Sequence, residues 1–411
     1  MNIVVYAHSM ELGGSQLNAI EIGQATQALG HNVLLVAEDG ALSPIAEKAG
    51  LEHIKISTRR SRPSPGVMNF LTRLVERRRI DIVHGYEWPP AIDAWLGPHR
   101  ALGTPVIATV MSAAVAPFLP RSMPLVVGVE LLRQRCLDDG FRSVALVEPP
   151  VDVHANTPQF DGIGFRARLQ LAPDTTLVVV VCRLAHELKL EGLLAACRTV
   201  GRLVSEGRNV HLAIVGDGPA RAEVEAAAAM ANAVGGSSVV SLLGELQDPR
   251  PAYATADVVL GMGGSALRGM AFGKPLIVQG EAGFWKLCDP RTVSQFLNEG
   301  WFGLGSGADG SDALRSALEP LIANSALRQS LGVFGRKLIL DRFSLEGAAR
   351  TQVLLYEQAI SQSAPATAAE IVRVSWGVGR HYLRRRLAHV FRTPSPADDF
   401  NARQRQLSKN R

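Results

Sequence analysis

Residues 257–278 read DVVLGMGGSALRGMAFGKPLIV and contain the pattern that decides the fold. An apolar run at 257–260 leads into a glycine-rich turn, then into a short segment of helical period, and finally into a second apolar run at 275–278. The order strand, turn, helix and strand is typical of a repeated βα unit with a parallel sheet. Neither run alternates apolar and polar residues, as expected where helices cover both faces of the sheet. The stretch therefore predicts an α/β fold.

The same alternation of short apolar runs and longer helical stretches extends along the chain in two series. The candidate strands of the first series are residues 3–7, 32–37, 53–56, 80–84, 105–110 and 124–129. The second series comprises residues 176–182, 210–215, 239–243, 257–260 and 275–278. Open α/β sheets bind ligands at the carboxyl ends of their strands. We therefore expect two Rossmann-like, doubly wound domains that face a central cleft.

Composition marks the borders between these segments. The run Glu148-Pro149-Pro150 ends the first series, and a polar stretch follows as far as Pro173. Ser344 can cap a further helix after the second series. The expected segments are an amino-terminal domain at 1–150, a hinge at 151–175, a second domain at 176–343, a helix at 344–362 and a basic, partly disordered tail at 363–411.

The overall composition predicts a folded protein with a sizeable core. Of 411 residues, 47% are hydrophobic and 20% are charged, which excludes a largely disordered chain. The net charge of +5 is unevenly placed, because residues 363–411 contain ten Lys and Arg against three Asp and Glu. The rest of the chain is close to neutral. Its charge therefore does not indicate a nucleic-acid-binding surface.

Neither export nor membrane spanning is indicated by the sequence. The amino terminus runs directly into an apolar strand without a basic leader. No apolar run reaches the roughly 18 residues of a membrane-spanning helix. Four widely spaced cysteines show no C-x-x-C pair and no zinc-ligand spacing, and they are Cys136, Cys182, Cys197 and Cys288. We expect a cytoplasmic protein with reduced thiols.

The basic tail is expected to contact a membrane or a protein partner at its periphery. Trp376, Tyr382 and Phe391 lie among its arginines, which is typical of an interfacial segment. The residues that share one helical stripe are Ile371, Val374, Val378 and Tyr382. Gly377 and Gly379 are expected to weaken this helix.

Glycines and cations at strand ends suggest a phosphate site. Gly13-Gly14 follows the first strand and opens a helix, where backbone N–H groups and the positive helix end can approach an anion. Arg183 and Lys189 follow the first strand of the second series, six residues apart, and can converge on a diphosphate. The next strand ends in V-G-D-G-P, where Gly216 begins the turn.

A dinucleotide site is an alternative for residues 257–278. Gly261, Gly263 and Ala266 match G-x-G-x-x-A after a strand, and Glu281 lies twenty residues beyond Gly261. This spacing is that of a nicotinamide-dinucleotide fingerprint. Against a dehydrogenase, the intervening helix is short and the unit lies late in its domain instead of opening it.

Taken in order, these segments resemble the GT-B retaining glycosyltransferases of the family 4 type, over about residues 1–360. The resemblance lies in Gly13-Gly14, in Arg183 with Lys189, in the V-G-D-G-P turn and in the block from A-D-V-V to G-M-A-F-G-K-P-L-I-V. It implies that the first domain is the acceptor side and the second binds the nucleotide sugar. The implied reaction transfers a sugar from a nucleotide-diphosphate sugar to a hydroxyl-bearing glycan, lipid or small molecule, with retention.

The resemblance also implies roles for individual residues. Arg183 and Lys189 would hold the donor diphosphate and stabilise the charge of the leaving group. The donor-binding residues that it implies are Gly13, Gly14, Gly216, Gly244, Glu245, Gly263, Ser265 and Ala266. No divalent metal and no cofactor other than the donor are expected, and the sequence contains no D-x-D motif.

The chain departs from the family pattern on the donor side. The family carries a pair of glutamates in the late block, and Arg268 stands at the position of the second, whose carboxylate binds the donor ribose. A guanidinium has only donors and cannot replace those acceptors. Glu281 is the candidate for the lost contact, and Arg268 is expected to meet either Glu281 or the donor phosphate.

A second departure concerns the acceptor side. Where the family tends to place a His, this chain has Met111-Ser112. His84, at the end of the preceding strand, is the candidate for a catalytic role, and the alternative is a structural histidine, which is more common at a strand end. Trp88 is a candidate to line the acceptor side with Met111, because an exposed indole stacks on sugar faces, and ordinary packing of Trp88 is the alternative.

Two other functions remain open at this stage. One is a sugar-nucleotide epimerase or an NAD-dependent enzyme of related architecture, which bound NAD would indicate. The other is a degenerate GT-B scaffold that binds a sugar or a partner, which the missing carboxylates make plausible. Donor hydrolysis or transfer would exclude the scaffold.

Overall fold

The computed structural model of the protein describes residues 1–7, 9–11 and 13–390, with the backbone alone for 388–390. The chain divides into two compact units. Unit 1 contains Met1–Glu148 together with Leu345–Arg411, and unit 2 contains Pro149–Ser344. Among the residues that the structure describes, no helix combines the length and the hydropathy of a membrane-spanning segment.

Unit 1 contains a parallel sheet in the order β3-β2-β1-β4-β5-β6-β7. The strands are β1 Asn2–Tyr6, β2 Asn32–Ala37, β3 Glu52–Lys55, β4 Ile82–Tyr86, β5 Val106–Val110, β6 Leu125–Val127 and β7 Val144–Leu146. The helices between them are α1 Gly14–Ala28, α2 Ser43–Lys48, α3 Pro65–Arg78, α4 Trp88–Ala94, α5 Arg100–Leu102 and α6 Glu130–Asp138, with a π-helical turn at Trp95–His99. The strand order reverses between β1 and β4, so this is a doubly wound fold.

Unit 2 contains a sheet in the order β10-β9-β8-β11-β12-β13. The strands are β8 Thr176–Val181, β9 Val210–Val215, β10 Val240–Leu242, β11 Val258–Gly261, β12 Leu276–Gln279 and β13 Trp285–Leu287. Only β13 runs antiparallel to its neighbour. The helices are α7 Phe165–Arg168, α8 Leu190–Ser205, α9 Arg221–Gly235, α10 Arg250–Thr255, α11 Gly264–Ala271, α12 Val293–Glu299, α13 Ser311–Ala323 and α14 Ser325–Arg342.

The strand predictions hold where a strand is a long apolar run. The bounds of β2 and β9 agree with the sequence analysis to the residue. Two strands were missed, β7 and β13, each three residues long. Neither strand contains a long apolar run. Strand β7 lies at the edge of its sheet and is only partly buried, and β13 contains the charged Lys286.

The expected hinge at 151–175 belongs to unit 2. The N–H of Val151 donates to the carbonyl of Phe343 at 2.7 Å. Phe165 is buried in the same hydrophobic cluster as Val151 and Phe343. The segment therefore packs into the unit that it was expected to precede.

The carboxyl-terminal helices return to unit 1 as α15 Leu345–Ser361 and α16 Ala368–Val390. Tyr356 of α15 is buried in the core formed with α1 and the sheet. Within the expected tail, Ala368–Val390 form helix α16, and Val374 of this helix is fully buried. A Cβ on Gly377 would lie 2.5 Å from the Cβ of Phe118, so this glycine allows the helix to pack closely there. Residues 391–411, with Phe391, lie outside the described part of the chain.

Candidate functional site

The loops at the carboxyl edge of the sheet in unit 2 are joined by backbone hydrogen bonds. After β8, the N–H of Leu184 donates to the carbonyl of Asp217 at 2.9 Å. After β9, the N–H of Gly216 donates to the carbonyl of Gly244 at 2.8 Å. A Cβ on Gly216 would overlap the carbonyl oxygen of Cys182, so only glycine fits where these loops meet. The structure therefore brings together Gly216, Gly244 and the loop that contains Arg183, as the sequence analysis expects of a donor site.

The two predicted cations lie at the two ends of one tight loop. Arg183 is exposed, and Lys189 is half-buried at the N-cap of α8. Burial lowers the pKa of Lys189. Leu188, directly before it, has φ 66°, a left-handed conformation that non-glycine residues adopt at a cost of about 1–3 kcal/mol. Such strain is typical of functional loops.

The side chain of Gln279 holds this loop from the end of β12. Its Nε2 donates to the carbonyl of Lys189 at 3.1 Å, and Gln279 is only 2% exposed. A Cβ on Gly192 would overlap the amide of Gln279, so the start of α8 needs a glycine there. Gln279 is a positioning residue that sequence reasoning missed, since a polar residue at the end of an apolar strand gives no specific signal.

Glu191, in the first turn of α8, binds the loop that contains Glu281. Its Oε2 accepts from the N–H of Ala282 at 3.0 Å, and its Oε1 accepts from the N–H of Gly283. Glu281 itself is half-buried and donates its N–H to the carbonyl of Gly303 at 3.0 Å. The carboxylate of Glu191, which the sequence analysis did not single out, thus places Glu281 on the same sheet edge as Lys189.

The turn after β11 opens α11 at Gly264. Gly263 is the N-cap with φ 55°, and its N–H donates to the carbonyl of Trp301 at 2.8 Å. The hydroxyl of Ser265 lies 3.3 Å from the N–H of Met262 and donates to its carbonyl at 3.0 Å. The N–H of Ala266 already donates to the carbonyl of Gly263 at 3.1 Å. Gly264 and Ser265 are therefore the amides at the open helix end, and the role of Ala266 in phosphate binding stays a prediction.

Arg268 is half-buried one turn into α11. A Cβ on Gly264 would lie 3.6 Å from Nη1 of Arg268, so the side chain runs back along its own helix. Its guanidinium therefore lies beside the first turn, where the helix end favours anions. An anion bound at the open end of α11 would therefore lie near this guanidinium, and the contact of Arg268 with a donor phosphate or with Glu281 stays a prediction.

In unit 1, Gly13 and Gly14 are exposed at the start of α1. A Cβ on Gly13 would overlap Oε1 of Gln16, whose Nε2 donates to Oγ of Ser9 at 3.0 Å. The glycine therefore makes room for a side chain that ties the loop to the end of β1. Its amides open the helix as expected.

Glu87 is a buried carboxylate that joins the ends of β4 and β5. Its Oε1 accepts from the N–H of Met111 at 3.0 Å, and its Oε2 accepts from Oγ of Ser112 at 2.8 Å. Burial raises the pKa of Glu87, and these two hydrogen bonds oppose that rise. The residue has φ 67° and is 9% exposed. Sequence reasoning missed it, although an acidic residue directly after a buried strand was a usable signal.

The structure places His84 in the interior and not at a catalytic position. The residue is fully buried, with Nδ1 2.7 Å from the hydroxyl of Tyr356 and Nε2 2.7 Å from Oγ1 of Thr109. Burial lowers its pKa to about 3, so the imidazole is neutral. Both ring nitrogens are engaged within the core, and the expected catalytic role is therefore wrong.

Trp88 is likewise not the exposed indole that was expected on the acceptor side. It is 5% exposed and packs edge-on against Phe118 at 5.2 Å between ring centroids. Its ring also meets the imidazole of His381. The indole is part of the core beneath α16 and offers no face to a sugar.

Among residues 1–7, 9–11 and 13–390, no three His, Cys, Asp or Glu side chains are grouped as metal ligands. The four cysteines are free, and Cys182 is half-buried while the other three are buried.

Two family models match the chain. Residues 12–123 match Glycosyltransferase Family 4, and residues 175–299 match Glycosyl transferases group 1. Among curated proteins, a 2-deoxystreptamine glucosyltransferase of Streptomyces kanamyceticus is 32% identical over 190 residues. That alignment covers 44% of this chain and 45% of the relative, so the chain matches less than half of the relative's length.

Solved structures share the fold at low sequence identity. A glycosyltransferase from Rickettsia africae has a TM-score of 0.70 at 14% identity, over 87% of this chain and 98% of that chain. HepE from Anabaena in complex with UDP-glucose has a TM-score of 0.66 at 14% identity, over 87% of this chain and 100% of that chain. The catalytic domain of starch synthase IV from Arabidopsis thaliana, bound to ADP and acarbose, has a TM-score of 0.64 at 13% identity. The match covers 88% of this chain and 99% of that chain. These likenesses confirm the expected GT-B fold class.

Proposed function

The chain contains a glycosyltransferase family 4 domain and a glycosyl transferases group 1 domain in a GT-B fold, and from this premise we propose that it is a glycosyltransferase. The donor is a nucleotide-diphosphate sugar bound by unit 2. The acceptor is a hydroxyl-bearing glycan, lipid or small molecule bound by unit 1.

The observation that carries the proposal is the arrangement around Lys189. Lys189, Arg183 and the opening of α11 all lie at the carboxyl edge of one sheet, where doubly wound folds bind phosphates. During transfer, the bond from the anomeric carbon to the donor phosphate oxygen breaks, and a bond to the acceptor oxygen forms. The nucleoside diphosphate leaves with the bonding electrons, and fixed cations stabilise its growing charge.

The same cations support transfer without a divalent metal, because they supply positive charge at the leaving group. Retention of the anomeric configuration is part of the proposal and rests on the resemblance to family 4. An NAD-dependent reaction is disfavoured, since the group 1 match at 175–299 includes the glycine-rich turn that suggested a dinucleotide site.

UDP-glucose is the first donor to test. HepE was crystallised with UDP-glucose, and the curated relative is described as a glucosyltransferase. The experiment is a thermal-shift panel of UDP-, GDP-, dTDP- and ADP-glucose, because a ligand at 100 times its dissociation constant stabilises by about 2.7 kcal/mol. NAD is included as the comparison ligand. Stabilisation by one of the nucleotide sugars supports the donor site, and stabilisation by NAD alone contradicts it.

Activity is tested with the donor that binds. Release of nucleoside diphosphate, slow in water and faster with an added acceptor, is expected with EDTA present as well as without it. NMR of the product is expected to show the anomeric configuration of the donor. Donor binding with neither hydrolysis nor transfer to any acceptor of a broad panel would instead indicate the degenerate scaffold.

A further inference from the structure

Helix α16 has an apolar stripe that packs against unit 1. Val374 is fully buried, and three further residues of the stripe pack on the same core: Ile371, Val378 and Tyr382. Glu370, near the start of the helix, accepts hydrogen bonds from the N–H and the hydroxyl of Ser122. This stripe, which the sequence analysis assigned to membrane contact, is therefore the one that fixes the helix to the protein.

A second apolar stripe lies on the opposite side of α16. Its residues and their exposed fractions are Val372 68%, Trp376 74%, Leu383 58% and Leu387 47%. Positions four, seven and eleven residues apart fall on one line of an α-helix with 3.6 residues per turn. Trp376 follows the buried Val374 by two residues, about 200° around the helix axis. We call Val372, Trp376, Leu383 and Leu387 the outer stripe.

Arginines border the outer stripe on both sides. Arg380 and Arg384 are exposed on one flank, and Arg386 is exposed on the other. Arg373 lies on the first flank, 3.6 Å from Glu370. Beyond the described residues, the sequence 391–411 adds five Lys and Arg against two Asp. The apolar line and its borders thus have the charge pattern of an interfacial helix.

We propose that the outer stripe of α16 docks in the plane of an anionic lipid surface. Trp376, Leu383 and their neighbours enter the boundary of the acyl chains, while the flanking arginines meet the headgroups. A second copy of the chain is a poorer occupant, because two outer stripes in contact would set arginines against arginines. The inference concerns where the protein works and does not rest on its proposed reaction.

The test exploits Trp376 in the full-length protein. The chain has five tryptophans, and the other four, Trp88, Trp95, Trp285 and Trp301, are 8% exposed or less. Vesicles of 70% phosphatidylcholine and 30% phosphatidylglycerol are expected to pellet the protein and to shift its tryptophan emission to shorter wavelength. Phosphatidylcholine vesicles alone, or added salt, are expected to abolish most of this binding.

Two double variants measure the two parts of the surface. Trp376→Ser with Leu383→Ser should weaken binding about tenfold or more, because it removes the inserted side chains. Arg380→Gln with Arg384→Gln should weaken it about thirtyfold, since each cation contributes about fivefold at an anionic surface. Matched controls are Met230→Ser with Val333→Ser, equally exposed elsewhere, and Lys337→Gln with Arg350→Gln. Both controls should bind as the parent protein does.

Three outcomes would overturn the proposal. The first is that the Trp376→Ser, Leu383→Ser variant pellets with anionic vesicles as well as the parent protein does. The second is that the parent protein binds neutral and anionic vesicles equally. The third is that the parent protein binds no vesicles and forms a dimer, which the same variant converts to a monomer. Unfolding curves should be unchanged in all variants, because the substituted side chains are exposed.

Discussion

Nδ1 of His84 lies 2.7 Å from the hydroxyl of Tyr356, 272 residues later in the chain. The contact joins β4 to the helix that follows unit 2, and it shows why α15 belongs to unit 1. It also explains the burial of an imidazole that the sequence suggested as a catalyst.

We expect Tyr356→Phe to destabilise the protein without affecting turnover. The change leaves Nδ1 of the buried His84 without its partner, which costs about 1–3 kcal/mol of unfolding free energy. Urea unfolding measures this loss. The control is Leu354→Ala, which changes an exposed residue of the same helix and should leave the unfolding free energy within about 0.5 kcal/mol of that of the parent protein. Loss of turnover in folded Tyr356→Phe protein would show that His84 does act in the reaction.

Replacing Lys189 or Arg183 with Ala should lower kcat on the order of 10²–10³-fold with the fold retained. The reason is that, in the proposed reaction, these cations stabilise the charge that develops on the leaving phosphate. Lys337→Ala, an exposed lysine of the same unit, is the matched control and should be neutral. Near-normal transfer by folded Lys189→Ala protein would remove Lys189 from the donor site.

The pH dependence of kcat/KM should carry an alkaline limb set by Lys189. Burial lowers the pKa of the Lys189 ammonium. As the pH rises, Lys189 of the free enzyme therefore loses its proton, and with it its positive charge, at a lower pH than an ordinary lysine does. Bound donor diphosphate favours the charged form and should move the limb of kcat to higher pH. In Lys189→Arg the limb should disappear, because arginine stays protonated. The same limb in both proteins would assign it to another group.

Arg268 is expected to take part in donor binding in place of the missing glutamate. Arg268→Glu, although it restores the family residue, should weaken donor binding about ten- to hundredfold, because a carboxylate replaces a charged hydrogen-bond donor near the phosphate. Calorimetric titration of Arg268→Glu and Glu281→Gln with the cognate donor tests this. Tighter binding by Arg268→Glu, or no effect from either change, would mean that Arg268 is a lost contact.

Glu87 should position the acceptor side through the loop that contains Met111 and Ser112. Glu87→Gln loses one of two charged acceptors, so kcat/KM for the acceptor should fall about tenfold or more while donor affinity stays unchanged. Glu130→Gln, which alters an ion pair on α6, is the control. Equal effects on donor and acceptor kinetics would indicate a general loss of structure instead.

Local sequence was sufficient for the architecture and for the positions of Arg183 and Lys189. The apolar runs of β2 and β9 predicted the first and last residue of each strand correctly. Helices cover both faces of such a sheet, so its central strands consist almost entirely of apolar residues. Arg183 and Lys189 could be placed because they lie in the short loop that joins the end of β8 to the start of α8, and chain connectivity puts this loop at the sheet edge.

Other features depend on partners that are distant in the sequence. Neither the burial of His84 beneath Tyr356 nor the hydrogen bonds of Glu87 could be inferred, because both need contacts between separate elements. The periodicity of α16 contains two apolar stripes, and periodicity cannot tell which of them finds a partner. The stripe with Val374 packs on unit 1 because Gly377 lets the helix approach Phe118 closely. Trp376, on the opposite side of the helix, therefore stays exposed to solvent.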